Sequence, residues 1–189
     1  MSFLSKNKQA EETKSQTATD FAAIEKETFV FEEFPTTIEA LKARPEAALT
    51  DPFATAALTV AALCVYAEDR DTGIEMLNFL KGPTKLSVFD QQFLKDRFAD
   101  KDYVPASYFD GTSPDNDYTP SEPYSITVYS SKYSVAGEGY ITLFVKSSGA
   151  DTQRQIVLRN KPSSGQWFVW NYGGILSDIR TPVKDNPWA

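Results

Sequence analysis

Tyr140-Ile141-Thr142-Leu143-Phe144-Val145, the turn Ser147-Ser148-Gly149-Ala150-Asp151, then Arg154-Gln155-Ile156-Val157-Leu158-Arg159-Asn160: this stretch decides the fold class. Apolar side chains recur at every second position on either side of a turn rich in Ser, Gly and Asp, which marks paired strands. The same period occupies residues 124–130 upstream. It returns over residues 166–172, past a second turn, Lys161-Pro162-Ser163-Ser164-Gly165. Runs at 124–130, 139–146, 154–160 and 166–172 therefore predict an antiparallel meander of about four strands. Neither face of it is simply polar, so both faces are expected to be at least half covered. Helices should cover one. The loop 103–124, the final segment or a partner should cover the other.

Working outward, the period upstream of residue 100 is helical. Asp51-Pro52 joins an N-cap carboxylate to proline at the first helical position. The segment 52–69 behind it is apolar on nearly every side, as the buried centre of a domain is. Thr36 or Thr37 caps a short helix ending near Arg44. Asp71 is expected to cap a helix carrying Ile74, Leu77 and Leu80, stopped by Gly82-Pro83. Ser87 with Asp90 forms a capping box for a helix expected to present Phe89, Phe93, Leu94 and Phe98 on one side. Helices first and strands after give an α+β fold, N-terminal helices packed on a C-terminal antiparallel sheet. Residues 1–27 read as a flexible arm. Residues 28–189 read as one domain: a helical half 36–99, a long loop 100–123 dense in Pro, Asp and Asn, and a sheet half 124–189. The run Thr28–Phe34 is either a strand or the anchor of the arm.

Composition narrows function mainly by exclusion. The 189 residues hold no histidine and one cysteine. That removes Ser-His-Asp and Cys-His catalysis, HExxH zinc sites, disulfides within the chain and CxxC motifs. Neither GxxxxGK[ST] nor GxGxxG occurs, and no cofactor is expected. Asp110, Asp115, Asn116 and Asp117 suggest a calcium loop, but Pro120 stands where its glycine belongs and Ile126 where its final Glu belongs. No metal site is expected. Asp96, Asp100 and Asp102 read as a solvated helix end, and Cys64 as core. Net charge is −7 and no Lys/Arg run is present, which argues against nucleic acid and anionic membranes as partners. Without an apolar leader and with a single thiol, the cytoplasm is the expected compartment.

Charge and aromatics are nevertheless uneven. Residues 124–189 carry seven bases against four acids, reversing the balance of the whole chain. Seven of the nine tyrosines lie between Tyr103 and Tyr140, and all three tryptophans follow Gln166. Such rings serve both packing and binding surfaces. The candidate binding residues are Tyr103, Tyr108, Tyr118, Arg154, Arg159, Trp167, Trp170, Arg180 and Trp188. The tail from Thr181 holds two prolines and is expected to run extended, with Trp188 docked into a groove of its own domain or into a second subunit.

Several stretches together resemble an uncharacterised bacterial domain family with no assigned function. They are Leu49-Thr50-Asp51-Pro52-Phe53, Leu77-Asn78-Phe79-Leu80-Lys81-Gly82-Pro83, Asp96-Arg97-Phe98, Tyr103-Val104-Pro105-Ala106-Ser107-Tyr108-Phe109, Ser147 to Asp151, Gly165-Gln166-Trp167-Phe168 and Ile179-Arg180-Thr181-Pro182. The resemblance covers about residues 36–189 and implies a bacterial protein, with no catalytic residues to carry over. At the level of fold the pattern is also similar to the NTF2-like group, whose helices pack into a curved antiparallel sheet. The reading from the residues is a non-catalytic module that binds a protein partner, a small ligand or a second copy through the aromatic half. The alternative is a small-molecule enzyme using carboxylate and tyrosine groups in an NTF2-like pocket.

Overall fold

The computed structural model describes residues 23–134 and 137–188. Helix α1 (Ile38–Lys42) starts at Thr37, whose hydroxyl accepts from the Ala40 amide. Helix α2 (Pro52–Glu68) starts at Asp51, whose carboxylate accepts from the Phe53 amide at 2.8 Å. Every residue of α2 from Phe53 to Tyr66 is buried, as its all-round apolar sequence requires. Helix α3 (Arg70–Lys81) packs along α2 at close range. Its Gly73 lies against the Tyr66 backbone, where a Cβ would come within 2.7 Å of the Tyr66 nitrogen. The cap of α3 is Asp69, not Asp71: Asp69 accepts from the amides of Asp71 and Thr72 and from the Thr72 hydroxyl. One extended residue ends α2 and caps α3, so the reversal needs no loop.

Helix α4 (Val88–Arg97) carries the expected Ser87–Asp90 capping box. Its four marked aromatic and aliphatic residues do not share a side. Leu94 and Phe98 are buried, Phe93 is half-buried, and Phe89 is 79% exposed. At 3.6 residues per turn, Phe89 and Phe93 lie about 140° around the helix from Leu94 and Phe98, so one surface cannot hold all four.

The sheet has five strands in the order β1-β2-β3-β4-β5, each antiparallel to its neighbour. Strands β2 (Tyr124–Ser131), β3 (Tyr140–Val145), β4 (Arg154–Lys161) and β5 (Gln166–Asn171) are the meander read from the sequence. The fifth is β1 (Ala23–Phe31), which pairs with β2 from Ala23↔Ser131 to Phe31↔Tyr124. Residues 23–27, read as the end of the arm, thus belong to the sheet, and the rest of the arm lies outside the described residues. Ile126, Val128, Leu143, Val145, Ile156, Leu158 and Val169 form a buried inner face against α2.

Of the covers expected for the outer face, the loop 103–124 packs elsewhere. Phe109 instead packs on Phe31, Phe34 and Tyr124, and the 3-10 turn Pro105–Tyr108 sits against α2, closing the open end of the two layers. The helices pack on the inner face, and the end of α3 rounds the β5 edge to reach the Phe168 ring on the outer one. Outward side chains such as Thr142 and Val157 are half-buried. None of the described helices is long and apolar enough to cross a membrane.

Candidate functional site

Tyrosine and arginine gather in two places, built differently. The first is a clamp at the open end of the layers. Irregular backbone from Gly173 to Pro182 passes there, leaving carbonyls that no strand partner satisfies. Tyr108 donates to the Ile175 carbonyl at 2.7 Å, and Tyr118 to the Arg180 carbonyl at 2.7 Å. Arg154 spreads over the carbonyls of Ser177, Asp178 and Thr152 at 3.2, 3.0 and 2.8 Å. Arg180 pairs with Asp151, and Tyr103 stacks on Tyr118 with ring centroids 5.3 Å apart. A hydroxyl cluster fastens the loop to the β3–β4 turn. Ser147 donates to Ser107 at 2.7 Å, and Thr112 and Ser148 share a hydrogen at 2.9 Å. Burial raises the Tyr108 phenol despite the charge of Arg154. Burial, with Tyr103 alongside, pushes Tyr118 up to about 12, against the charge of Arg180. Both phenols stay protonated donors to carbonyls. They are 3% and 1% exposed, so this end of the molecule is packing and offers a ligand little.

The second place is the β4–β5 side of the outer face. The β3–β4 register sets Tyr140 opposite Arg159, and β4–β5 sets Arg159 opposite Phe168. A β-bulge follows: Leu158 pairs with Val169 but Val157 with Asn171, leaving Trp170 as the extra residue. Such a bulge re-aims a side chain. Here it leaves Trp170 44% exposed and edge-on to Tyr140, with ring centroids 5.6 Å apart. The Arg159 guanidinium lies over both rings, 5.3 Å from the Tyr140 centroid and 5.0 Å from that of Trp170. Among the described residues it has no hydrogen-bond acceptor and no ion-pair partner. Beside this group a cleft of about 290 Å³ opens between β5 and the end of α3, lined by Lys81, Pro83, Arg159, Lys161, Phe168 and Trp170. Gly82, at φ +63°, lets the α3 terminus reach the Phe168 ring, whose Cγ would stand 2.7 Å from a Cβ there. Across Lys81 and Trp170 a shallower groove continues along Phe89, Phe93, Asp90 and Arg97 of α4.

Of the nine residues proposed from sequence, Arg159 and Trp170 meet here. Tyr103, Tyr108, Tyr118, Arg154 and Arg180 belong to the clamp. Trp167 packs partly into the core, its amide donating to the Leu49 carbonyl at 2.7 Å. Trp188 is 92% exposed, which overturns the expectation that it docks into its own domain. The tail makes a short 3-10 turn, Val183–Asp185, tethered by Lys184 to Asp117 at 3.1 Å. The groove there is lined by Asp100, Asp102, Asp117 and Asp185, a poor seat for an indole. Tyr140, Phe168, Lys81 and Lys161 were missed. The alternation of β3 and β4 marks Tyr140 and Arg159 as outward. Only the register across the 147–151 turn makes them partners.

Burial pushes up the Cys64 thiol, which is core and no nucleophile. Among the described residues no cluster of three acids or thiols is placed to hold a metal ion. Residues 33–183 correspond to the family described as Domain of unknown function (DUF6935), and the chain belongs to that family. No curated protein matches the chain, and no solved structure does.

Proposed function

We propose that this member of the family is a non-catalytic binding module that engages its ligand or partner on the β4–β5 side of the outer face. The observation that supports this is Arg159, held over two aromatic rings with no acceptor or ion-pair partner among the described residues. A guanidinium fixed in place is a ready donor for an incoming group, because little freedom is lost when that group arrives. The flanking groove and the rings of Phe89 and Phe93 extend the apolar area available. The bacterial, cytoplasmic setting suggested by the sequence is part of the same proposal.

The test is a thermal-shift screen of a metabolite library on the wild-type chain and on Trp170→Leu. A ligand at one hundred times its Kd adds ~2.7 kcal/mol of stability, a readable rise in Tm. Hits should raise the melting temperature of the wild type and lose most of that effect in Trp170→Leu. Light scattering on the same sample shows whether a second copy is the partner. Hits indifferent to Trp170→Leu would overturn the placement of the site. Turnover of a hit would favour the enzyme reading.

A further inference from the structure

We infer that the cleft between β5 and the end of α3 takes a small anion built on a planar ring, such as an aromatic carboxylate or an aryl phosphate. This rests on the binding reading above and goes further by naming the ligand's chemistry. Three cations, Lys81, Arg159 and Lys161, line the cleft, and no carboxylate does. That is a local reversal in a chain of net charge −7. Lys81 is shared with the neighbouring groove, where, against the burial that raises it, the Asp90 carboxyl is held below its ordinary range by hydrogen bonds from Ser87 and, to a lesser extent, by the charge of Lys81. Arg159 and Lys161 have no such neighbour in the cleft, and neither side chain has an acceptor among the described residues. An anionic group therefore belongs on their side.

The remaining lining is flat and apolar. Phe168 and Trp170 offer ring surfaces, and Pro83 stiffens the opposite wall. Rings of this kind prefer a planar partner in offset or edge-on contact. The volume, about 290 Å³, is at the small end for ligand sites and suits one ring with its charged group. Two features position the parts before any ligand arrives: the bulge that exposes Trp170, and the left-handed Gly82 that brings the end of α3 to Phe168.

The experiment titrates the full chain with benzoate and with phenyl phosphate, following the Trp170 indole N–H by NMR. Benzamide and inorganic phosphate serve as the neutral and the ringless controls. A saturable Trp170 shift is expected with at least one aryl anion, and both controls should bind about tenfold or more weakly. Arg159→Gln, and Lys161→Gln as a second variant at another position, should each weaken the aryl anion by about tenfold while the indole spectrum keeps its folded dispersion. Benzamide binding as tightly as benzoate would remove the anion from the account, and inorganic phosphate binding as tightly would remove the ring. No saturable shift with any probe overturns the inference. In that case the binding reading stands if library hits still depend on Trp170, and falls with it if they do not.

Discussion

The two ends of the sheet half use the same residue types to opposite effect. At the clamp, Tyr108, Tyr118 and Arg154 each donate to backbone carbonyls of the segment between residues 175 and 180. On the outer face, Tyr140 and Trp170 meet edge-on under the Arg159 guanidinium, which no acceptor among the described residues takes up. The difference lies in the backbone each group meets. Residues 173–182 run as a 3-10 turn and irregular chain, whose carbonyls need side-chain donors. Strands β3 and β4 satisfy their own backbone by pairing along Tyr140–Val145, so side chains above them are left over. An aromatic or an arginine is thus structural or available according to the unpaired carbonyls beside it.

The clamp is most sensitive at Gly149. A Cβ there would crowd the Tyr118 phenol and come within 2.6 Å of Ile179 Cγ2. Gly149→Val should cost roughly 3 kcal/mol or more by overpacking the clamp, about 6–12 °C in melting temperature for a chain of this size. A loss under about 1 kcal/mol would mean that the clamp yields easily. Calorimetry decides.

Tyr118→Phe should have a smaller effect with a characteristic pH dependence. At neutral pH the Arg180 carbonyl loses its donor, which costs about 1–2 kcal/mol. In the wild type the Tyr118 phenol is held up to about 12, against 10.0 for an ordinary tyrosine. Between those values the unfolded chain has released the proton and the folded chain has not. The stabilising contribution is therefore complete below pH 10 and is lost as pH rises toward 12. The alkaline limb of the stability curve, measured by urea unfolding at stepped pH, should be shallower in the variant. An identical limb in both proteins would contradict the burial of that phenol.

Much of this architecture was legible in the residues. Asp51-Pro52 and the Ser87–Asp90 box are local signals read by the chain's own amides, and period-two runs place strands to within a residue or so. Asp69 was passed over because Asp71 is also a competent cap, and choosing between them needs the angle at which α3 leaves α2. The outer cluster depends on a hairpin register and on one extra residue in β5, neither of which alternation alone reveals. The buried tyrosines of the clamp resemble exposed ones in sequence, because their acceptors lie 62 and 67 residues away along the chain. Docking of Trp188 into its own domain fails for a different reason: burying an indole is favourable only where a groove suits it, and the groove beside the tail mixes Tyr103 and Pro182 with four aspartates and Lys184.

The most direct test sets Arg154→Gln beside Arg159→Gln in parallel urea unfolding at pH 7 without added ligand. Arg154→Gln should lose about 1–2 kcal/mol, since the part-buried Ser177 carbonyl and the exposed carbonyls of Asp178 and Thr152 all lose a charged donor. Arg159→Gln should stay within about 0.5 kcal/mol of the wild type, as surface substitutions do. Equal losses in the two variants, or a larger one at Arg159, would contradict the division into a structural end and an available face.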